Sequence, residues 1–232
     1  MPTGSPARSV PPTDVQAQAW PVIAQGEHVL VTAPTGSGKT LTAFLWSINQ
    51  LITGPGKAEG TRILYISPLK ALNNDIRRNF LQPLDSLKHV FDSAGEAFPD
   101  IQVRTRSGDT PQDERRRMLR RPPDILITTP ESLHILLTSA NAHHLFTRLQ
   151  TVILDEIHAV IGSKRGTLLM SAIERLVPIE GEFQSCPFCI IGQVDTSKKV
   201  RECEAAKNYG NVWLFRSVCS CARAADAEHD RP

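Results

Sequence analysis

The first 185 residues contain no cysteine, and the sequence as a whole contains no long apolar run. Without cysteine, disulfide bonds cannot frame this part of the chain, and the odd total of five argues against a disulfide scaffold elsewhere. No stretch reaches the length of a transmembrane helix. Residues 1–12 are rich in proline and serine and lack the apolar core of a signal peptide. We therefore expect a cytoplasmic protein with no membrane partner.

A strong charge excess is also missing, because 26 basic residues stand against 24 acidic ones, a net charge of +2. The chain as a whole is therefore not a polycation that binds nucleic acid through bulk charge. Arginine is nevertheless clustered at positions 104, 106, 115–117 and 120–121. Such a cluster is typical of a surface that binds phosphate backbones, and the alternative is a solvated arginine-rich helix face.

A glycine-rich segment follows an apolar run at residues 29–31 and matches a phosphate-binding loop. Its residues are Ala33, Pro34, Thr35, Gly36, Ser37, Gly38, Lys39 and Thr40. The two glycines allow backbone N–H groups to approach a triphosphate closely, and a helix that begins near Lys39 adds its N-terminal dipole. We expect Lys39 to reach the β- and γ-phosphates and Thr40 to bind Mg²⁺. The alternative is a chance glycine-rich turn.

An acidic segment, Asp155-Glu156-Ile157-His158, follows a second apolar run at residues 152–154. Ligands bind at the carboxyl ends of strands in open α/β sheets, so we assign Asp155 to Mg²⁺, mostly through water. Glu156 is the candidate base that polarises the attacking water. His158 either couples the nucleotide site to other motifs or packs at the start of the next helix. The predicted catalytic residues are thus Lys39, Asp155, Glu156 and His158.

The hydrophobic pattern predicts strands that alternate with helices, which implies a parallel sheet with helices on both faces. We predict strands at 28–32, 62–66, 101–105, 124–128 and 151–154, and helices at 13–24, 39–52, 68–78, 111–121, 130–137 and 166–177. Together with the glycine-rich loop, this order indicates a RecA-like P-loop domain over residues 12–177. Residues 1–11 are expected to form a flexible N-terminus, and residues 178–232 an atypical tail.

Five motifs in order resemble the first motor domain of a superfamily 2 helicase of the DEAD/DEAH-box type. They are Pro12-Thr13-x-x-Gln16, the loop at 33–40, Ser67-Pro68-Leu69-Lys70-Ala71-Leu72, Thr128-Thr129-Pro130-Glu131-Ser132-Leu133 and Asp155-Glu156-Ile157-His158. Two segments are most similar to the large helicase-related (Lhr) subfamily: the one that starts at Ser67, and Ser107-Gly108-Asp109-Thr110-Pro111. Members of that subfamily are ATP-dependent, DNA-acting helicases that are often linked to repair.

The resemblance implies roles for individual residues. Gln16 is expected to hydrogen-bond the adenine edge, which makes it part of the nucleotide site. The residues expected to hold a nucleic-acid backbone are Pro68, Lys70, Ala71, Gly108, Asp109, Thr129, Pro130 and Glu131. Loops that present N–H groups, hydroxyls and helix N-termini suit phosphates, although each segment taken alone could be an ordinary turn. The expected partner is DNA, as a single strand or forked duplex, rather than RNA.

The family pattern is not continued after residue 177. No Ser-Ala-Thr follows the acidic segment, and the second motor domain, which normally supplies arginine fingers, is missing from the sequence. Because such fingers contribute about 10³ to 10⁵ in rate, we expect the chain to bind ATP and hydrolyse it slowly. The alternative to an ATP-dependent helicase fragment is a non-motor module that binds ATP and nucleic acid beside a partner lobe. A different P-loop enzyme, such as a kinase, would lack the strand-binding loops.

The tail contains Cys186-Pro187-Phe188-Cys189, which has the spacing of a zinc knuckle. Further ligands would have to come from Cys203, Cys219, Cys221 and His229, and the spacing Cys219-Ser220-Cys221 is too tight for a usual second knuckle. The alternatives to a zinc site are a poorly folded, disordered tail and a truncated or frame-shifted product, and the last of these is the preferred interpretation.

Overall fold

The fold was analysed in a computed structural model of the chain. It describes residues 11–34, 36–54, 60–68, 81–139, 142–160 and 163–176, and the backbone of three further strands at 188–192, 207–209 and 212–215. Among these residues no helix is both long and apolar enough to cross a membrane.

Eight strands form one sheet in the order β3-β4-β2-β5-β6-β1-β8-β7. The strands are β1 His28–Thr32, β2 Ile63–Ile66, β3 Val103–Arg106, β4 Ile125–Thr128, β5 Thr151–Leu154, β6 Phe188–Gly192, β7 Lys207–Tyr209 and β8 Val212–Phe215. The six strands from β3 to β1 pair in parallel, whereas β8 pairs antiparallel with both β1 and β7. All six parallel strands therefore end at the same edge of the sheet.

Helices cover the sheet on both faces. The helices are α1 Asp14–Ala24, α2 Lys39–Thr53, α3 Gln82–Ala94, α4 Gln112–Arg120, α5 Pro130–Leu137, α6 Ala142–Phe146 and α7 Lys164–Leu176, with a 3₁₀ turn at Ile157–Ala159. Threonine caps begin two of them. The Thr13 hydroxyl accepts from the Gln16 backbone in a capping box, and the Thr129 hydroxyl accepts from the Ser132 backbone.

Alternate residues along β1, β2, β4 and β5 belong to two separate apolar clusters, as expected when successive side chains point to opposite faces. Leu64 and Ile66 pack with residues of α5, α6 and α7. Ile63 and Tyr65 pack with residues of α1, α2 and α3 on the other face. The central strands β2, β4 and β5 are buried at every position, which is why the sequence shows them as continuous apolar runs.

The predicted fold class is confirmed: a parallel sheet with helices on both faces. Two helices were not predicted, because α3 buries only Leu84 and α6 is five residues long. The third strand lies at Val103–Arg106 rather than 101–105. The predicted helix at 68–78 lies outside the described residues apart from Pro68.

The structure adds three strands that come from residues after 177, beyond the predicted domain. Strand β6 pairs between β5 and β1, and the antiparallel pair β7 and β8 extends the sheet beyond β1. Their pairing depends on partners far away in the sequence, so no local pattern indicated it. The predicted domain boundary at residue 177, and the predicted character of the tail, stay predictions.

Candidate functional site

Apart from Gln16, which lies in α1, the described site residues lie in loops after the carboxyl ends of parallel strands or in the first turns of the helices that follow them. The glycine-rich loop follows β1, and Asp155 follows β5. On the other half of the sheet, Pro68 follows β2, Thr129 follows β4 and Gly108 follows β3. Since these strands are parallel, the topology gathers both sets at one edge, with β2 directly beside β5. Thr35, Lys70 and Ala71 lie outside the described residues.

The glycine-rich loop adopts the backbone conformation that its glycines allow. Gly36 and Gly38 have φ of 83° and 82°, in the left-handed region that side chains with a Cβ avoid. The Lys39 ammonium is buried and donates to the carbonyl oxygens of Ala33 and Pro34, the latter at 3.0 Å. Burial lowers the pKa of Lys39, while the nearby Glu156 and Asp155 carboxylates oppose that shift. The Lys39 ammonium thus donates to carbonyl oxygens of the loop that phosphate oxygens could replace as acceptors.

A hydroxyl and a carboxylate converge below this loop. The Thr40 hydroxyl donates to Asp155 Oδ2 at 3.3 Å, although 115 residues separate the two. Asp155 Oδ1 accepts from the Glu156 backbone N–H at 2.9 Å. Burial raises the pKa of Asp155, which means that the ionised carboxylate lacks the solvation it would have in water. Oxygen donors in this arrangement match the preference of Mg²⁺, so the residues present fit that ion.

Tyr65 is a member of the site that the sequence analysis missed. It lies in β2, is buried, and its hydroxyl donates to Asp155 Oδ2. The bond joins the strand before Pro68 to the carboxylate of the predicted metal site. The available signal was a tyrosine within a wholly buried strand, because a buried phenol needs a hydrogen-bond partner.

Replacing Tyr65 with phenylalanine is expected to lower the free energy of unfolding by about 1.5–3 kcal/mol, the range for hydrogen bonds to charged groups. The substitution keeps the ring in the core and removes one donor from a buried carboxylate. Urea denaturation without Mg²⁺ measures the change. The control is the same substitution beside Asp155→Ala, where the cost should largely disappear. An equal cost in both backgrounds would show that the phenol acts elsewhere.

Gln16 connects the first helix to the glycine-rich loop. Its side chain is buried, and its Oε1 accepts from the Thr13 backbone at 3.0 Å, which completes the capping box. This bond orients the amide, so that Nε2 lies against Gly38. The Thr13 hydroxyl also donates to the Ser37 carbonyl at 3.3 Å. The predicted contact of Gln16 with adenine stays a prediction; the structure places the residue at the loop.

Gly38→Ala is expected to destabilise the protein more than Gly36→Ala. Both positions have positive φ, so each alanine should cost about 1–2 kcal/mol. A Cβ at Gly38 would also lie 3.1 Å from Gln16 Nε2. A Cβ at Gly36, in contrast, would have no non-neighbouring atom within 4 Å. Displacing Gln16 breaks the capping box, which adds about 1 kcal/mol. Chemical denaturation of both variants gives the comparison, and equal losses would contradict the proposed contact.

Glu156 and His158 form a pair at the end of the acidic segment. Glu156 has φ of 52°, the one positive value among non-glycine residues in the described part of the chain. Its Oε2 lies 3.1 Å from His158 Nε2, while His158 Nδ1 is buried without a hydrogen-bond partner. Strained backbone of this kind is concentrated at functional sites. The structure thus brings both residues to the nucleotide half of the site, and their catalytic roles stay predictions.

The loops on the other half of the sheet are held by arginines that the sequence analysis did not single out for this. Arg115 donates to carbonyl oxygens of the turn that contains Gly108 and Asp109, at 2.7 Å to Thr110 and 2.6 Å to Gly108. Arg165 bonds the Glu131 carboxylate at 2.6 Å. Neither role was visible in the sequence, since a carbonyl acceptor has no residue signature.

The arginine cluster of the sequence divides in the structure. Arg106 is buried, and Arg115 is engaged by the turn before its own helix. The remaining arginines are exposed and line a groove beside the edge strand β3, together with Asp113 and Glu114: Arg104, Arg116, Arg117, Arg120 and Arg121. The continuous basic patch inferred from the sequence is therefore smaller than predicted, because two of its members serve the fold.

The zinc prediction falls largely on residues that the structure does not describe. Cys186, Cys203, Cys219, Cys221 and His229 lie outside the described residues, and only the backbone of Cys189 is described, within β6. Within the part of the chain with described side chains, no group of three or more His, Cys, Asp or Glu is placed to hold a metal ion. The zinc site stays a prediction that was not preferred.

Comparison with known proteins identifies the family of the chain. The sequence profile of the family described as DEAD/DEAH box helicase matches residues 13–188. An Lhr helicase of Mycolicibacterium smegmatis is 52% identical over 167 residues, and the Lhr helicase/uracil glycosylase of Escherichia coli is 50% identical over 172 residues. Each match covers 71% of this chain and 11% of the relative, so the chain spans about a tenth of their length.

Among solved structures, the Mycobacterium smegmatis helicase Lhr bound to ssDNA and AMP-PNP is similar to this fold with a TM-score of 0.71. The two chains are 48% identical, and the match covers 78% of this chain and 22% of that one. The resemblance inferred from five short motifs is thus confirmed over most of the described fold.

Proposed function

The chain belongs to the DEAD/DEAH box helicase family, and from that premise we propose that it is the ATP-binding lobe of a DNA helicase. In this role it would couple ATP hydrolysis to translocation or unwinding of a nucleic-acid strand. The observation that carries the proposal is the approach of Thr40 Oγ1 to Asp155 Oδ2, at 3.3 Å, beneath a loop of two positive-φ glycines. This arrangement forms at the same sheet edge as the three loops proposed to hold the strand.

At the nucleotide half, family members use ATP with Mg²⁺, and this chain has side chains suited to each part of that ligand. The loop from Ala33 to Thr40 would cradle the phosphates, and Lys39 would move from its own carbonyls to the β- and γ-phosphates. Thr40 and Asp155 would hold the ion, and Glu156 would orient the attacking water. Bound Mg²⁺ supplies charge neutralisation on the phosphates; every positioning group named here is the protein's own.

At the other half, we propose that a single DNA strand runs across the loops after β2, β4 and β3. Helix α5 presents its N-terminus at Thr129 and Pro130, where the dipole favours phosphate. Contacts of this kind carry no base information, which suits a motor that must move along any sequence. The solved Lhr structure was determined with ssDNA bound, which supports DNA over RNA. A forked duplex would present such a strand.

A partner lobe is part of the proposal, because the chain spans only about a tenth of the two bacterial Lhr relatives. A second motor domain, on the same longer protein or a separate chain, would supply the arginine fingers that accelerate phosphoryl transfer. The competing function is a non-motor module that binds ATP and DNA beside such a partner. The lack of Ser-Ala-Thr after His158 favours that alternative, since this motif links hydrolysis to strand movement in the family.

Nucleotide binding and turnover by the purified chain test the proposal. A fluorescent ATP analogue should bind in the presence of Mg²⁺, and ATP turnover is then measured with and without single-stranded DNA. Turnover that rises with DNA would identify a working motor lobe. Binding without turnover would identify a module that needs its partner lobe. Absence of Mg²⁺-dependent nucleotide binding would refute both functions.

A further inference from the structure

Arg165 joins two loops that are distant in sequence. It is the second residue of α7, the helix that follows the acidic segment and its 3₁₀ turn. Its Nε donates to Glu131 Oε1 at 2.6 Å, and its Nη2 donates to the Pro68 carbonyl at 2.8 Å. One planar guanidinium thus satisfies an acceptor from each of two loops, an arrangement for which lysine lacks the geometry.

The two acceptors belong to neighbouring strands of the sheet. Pro68 follows β2, Glu131 lies in the first turn of α5 after β4, and β2 pairs directly with β4. The backbone pairing of the two strands continues one residue past the end of β2, because Ser67 N–H donates to the Thr128 carbonyl at 3.1 Å. Arg165 continues this alignment beyond the end of the sheet, into the loops themselves.

A carboxylate beside a phosphate path needs an explanation, because it would repel the strand. The hydrogen bond from Arg165 lowers the pKa of Glu131, so the carboxylate is held ionised. About half of each side chain is exposed, which makes the pair weak as a source of stability. Its value must therefore lie in geometry: Glu131 anchors the guanidinium, and the guanidinium holds the Pro68 carbonyl.

Helix α7, which carries Arg165, is held in position by its contacts with α5. It packs along α5 through Leu169, Ala172, Ile173 and Leu176. At its far end, Arg175 Nη2 donates to the Leu137 carbonyl at 2.8 Å. Two arginines therefore tie α7 to α5, one at the end that faces the nucleic-acid loops and one at the opposite end. The second arginine offers a matched control for the first.

We propose that Arg165 is a positioning residue that sets the spacing of the two backbone-holding loops, and so the affinity for single-stranded DNA, without contacting the strand. The inference rests on the proposed function. Because Arg165 lies on the next helix of the chain after the acidic segment, it connects the two backbone-holding loops to the element that follows the nucleotide site in sequence.

The test compares four variants of the full chain, Arg165→Lys, Glu131→Ala, their double variant and Arg175→Lys. Affinity for a labelled single-stranded oligonucleotide is measured by fluorescence anisotropy, affinity for the fluorescent ATP analogue by titration, and folding by thermal unfolding. We expect Arg165→Lys and Glu131→Ala each to weaken DNA binding about tenfold, the equivalent of one lost charge-assisted hydrogen bond. The double variant should be no weaker than either, and Arg175→Lys and nucleotide affinity should be unchanged.

The direction of the change in Glu131→Ala decides between two explanations, since this variant removes both the negative charge and the acceptor of the Arg165 hydrogen bond. Simple electrostatics predicts tighter DNA binding when a negative charge is removed, whereas loss of an anchor predicts weaker binding. DNA affinity that is unchanged or higher in Glu131→Ala would overturn the inference, as would an equal loss in Arg175→Lys. If the unaltered chain bound no single-stranded DNA at all, the proposed function itself would be refuted. The two failures are therefore distinguishable.

Discussion

Replacing Lys39 with alanine is expected to weaken binding of the Mg²⁺–ATP analogue about 10- to 100-fold and to abolish any ATP turnover. The ammonium would form charge-assisted hydrogen bonds to the phosphates, each worth about 1.5–3 kcal/mol. The net effect is smaller than the sum of those bonds, because Lys39 already donates to the carbonyl oxygens of Ala33 and Pro34 before any ligand binds. Titration with the fluorescent analogue measures the change in affinity.

Lys88→Ala is the matched control for that substitution. Lys88 is exposed on α3, so its loss removes the same side chain and the same charge away from the loop. Its nucleotide affinity should equal that of the unaltered chain. Similar affinity in Lys39→Ala and Lys88→Ala would mean that the glycine-rich loop does not bind the triphosphate, and the proposed function would fail with it.

Asp155→Asn is expected to act in opposite directions on stability and on metal binding. Burial raises the folded pKa of Asp155 above its unfolded value, so the ionised carboxylate costs stability at neutral pH. An amide removes that charge and keeps the volume, and its NH₂ can donate to the Tyr65 and Thr40 oxygens while its Oδ1 accepts from Glu156 N–H. The free energy of unfolding without Mg²⁺ should therefore rise.

The same variant should lose the Mg²⁺ dependence of nucleotide binding. The factor by which Mg²⁺ increases the affinity for the nucleotide should fall by more than about tenfold. A tenfold loss is the smallest typical effect of mutating residues that only hydrogen-bond to metal ligands, and Asp155 is proposed to be a ligand itself. Denaturation at two pH values supplies the control: as pH falls through the raised pKa, the unaltered protein gains stability from protonation of Asp155, and Asp155→Asn lacks that gain. A variant that is less stable but keeps full Mg²⁺ dependence would contradict both parts.

The sequence predicted the helices and strands around the site best where the signal lies within one contiguous segment. The helix at Pro130–Leu137 has the predicted bounds, because a threonine cap followed by proline is a local signal for a helix start. The strand at Thr151–Leu154 also has the predicted bounds, because an unbroken apolar run is a local signal for a buried strand. Helix α3 was missed because only Leu84 is buried, so it has almost no apolar stripe to detect. Strands β7 and β8 were missed because they depend on distant pairing: β8 pairs with β1, and β7 pairs with β8.

The sequence by itself determined the family, the glycine-rich loop and the acidic segment, since glycine spacing, a lysine and adjacent carboxylates are properties of short stretches. Only the tertiary structure decided which side chains serve those stretches. Tyr65 and Asp155 are 90 residues apart, and Arg165 is 97 residues from Pro68. Arg106 and Arg115 are not part of the exposed basic surface, because Arg106 is buried and Arg115 donates to a backbone carbonyl. Such bonds depend on distances that exist only once the parallel sheet brings its loops to one edge.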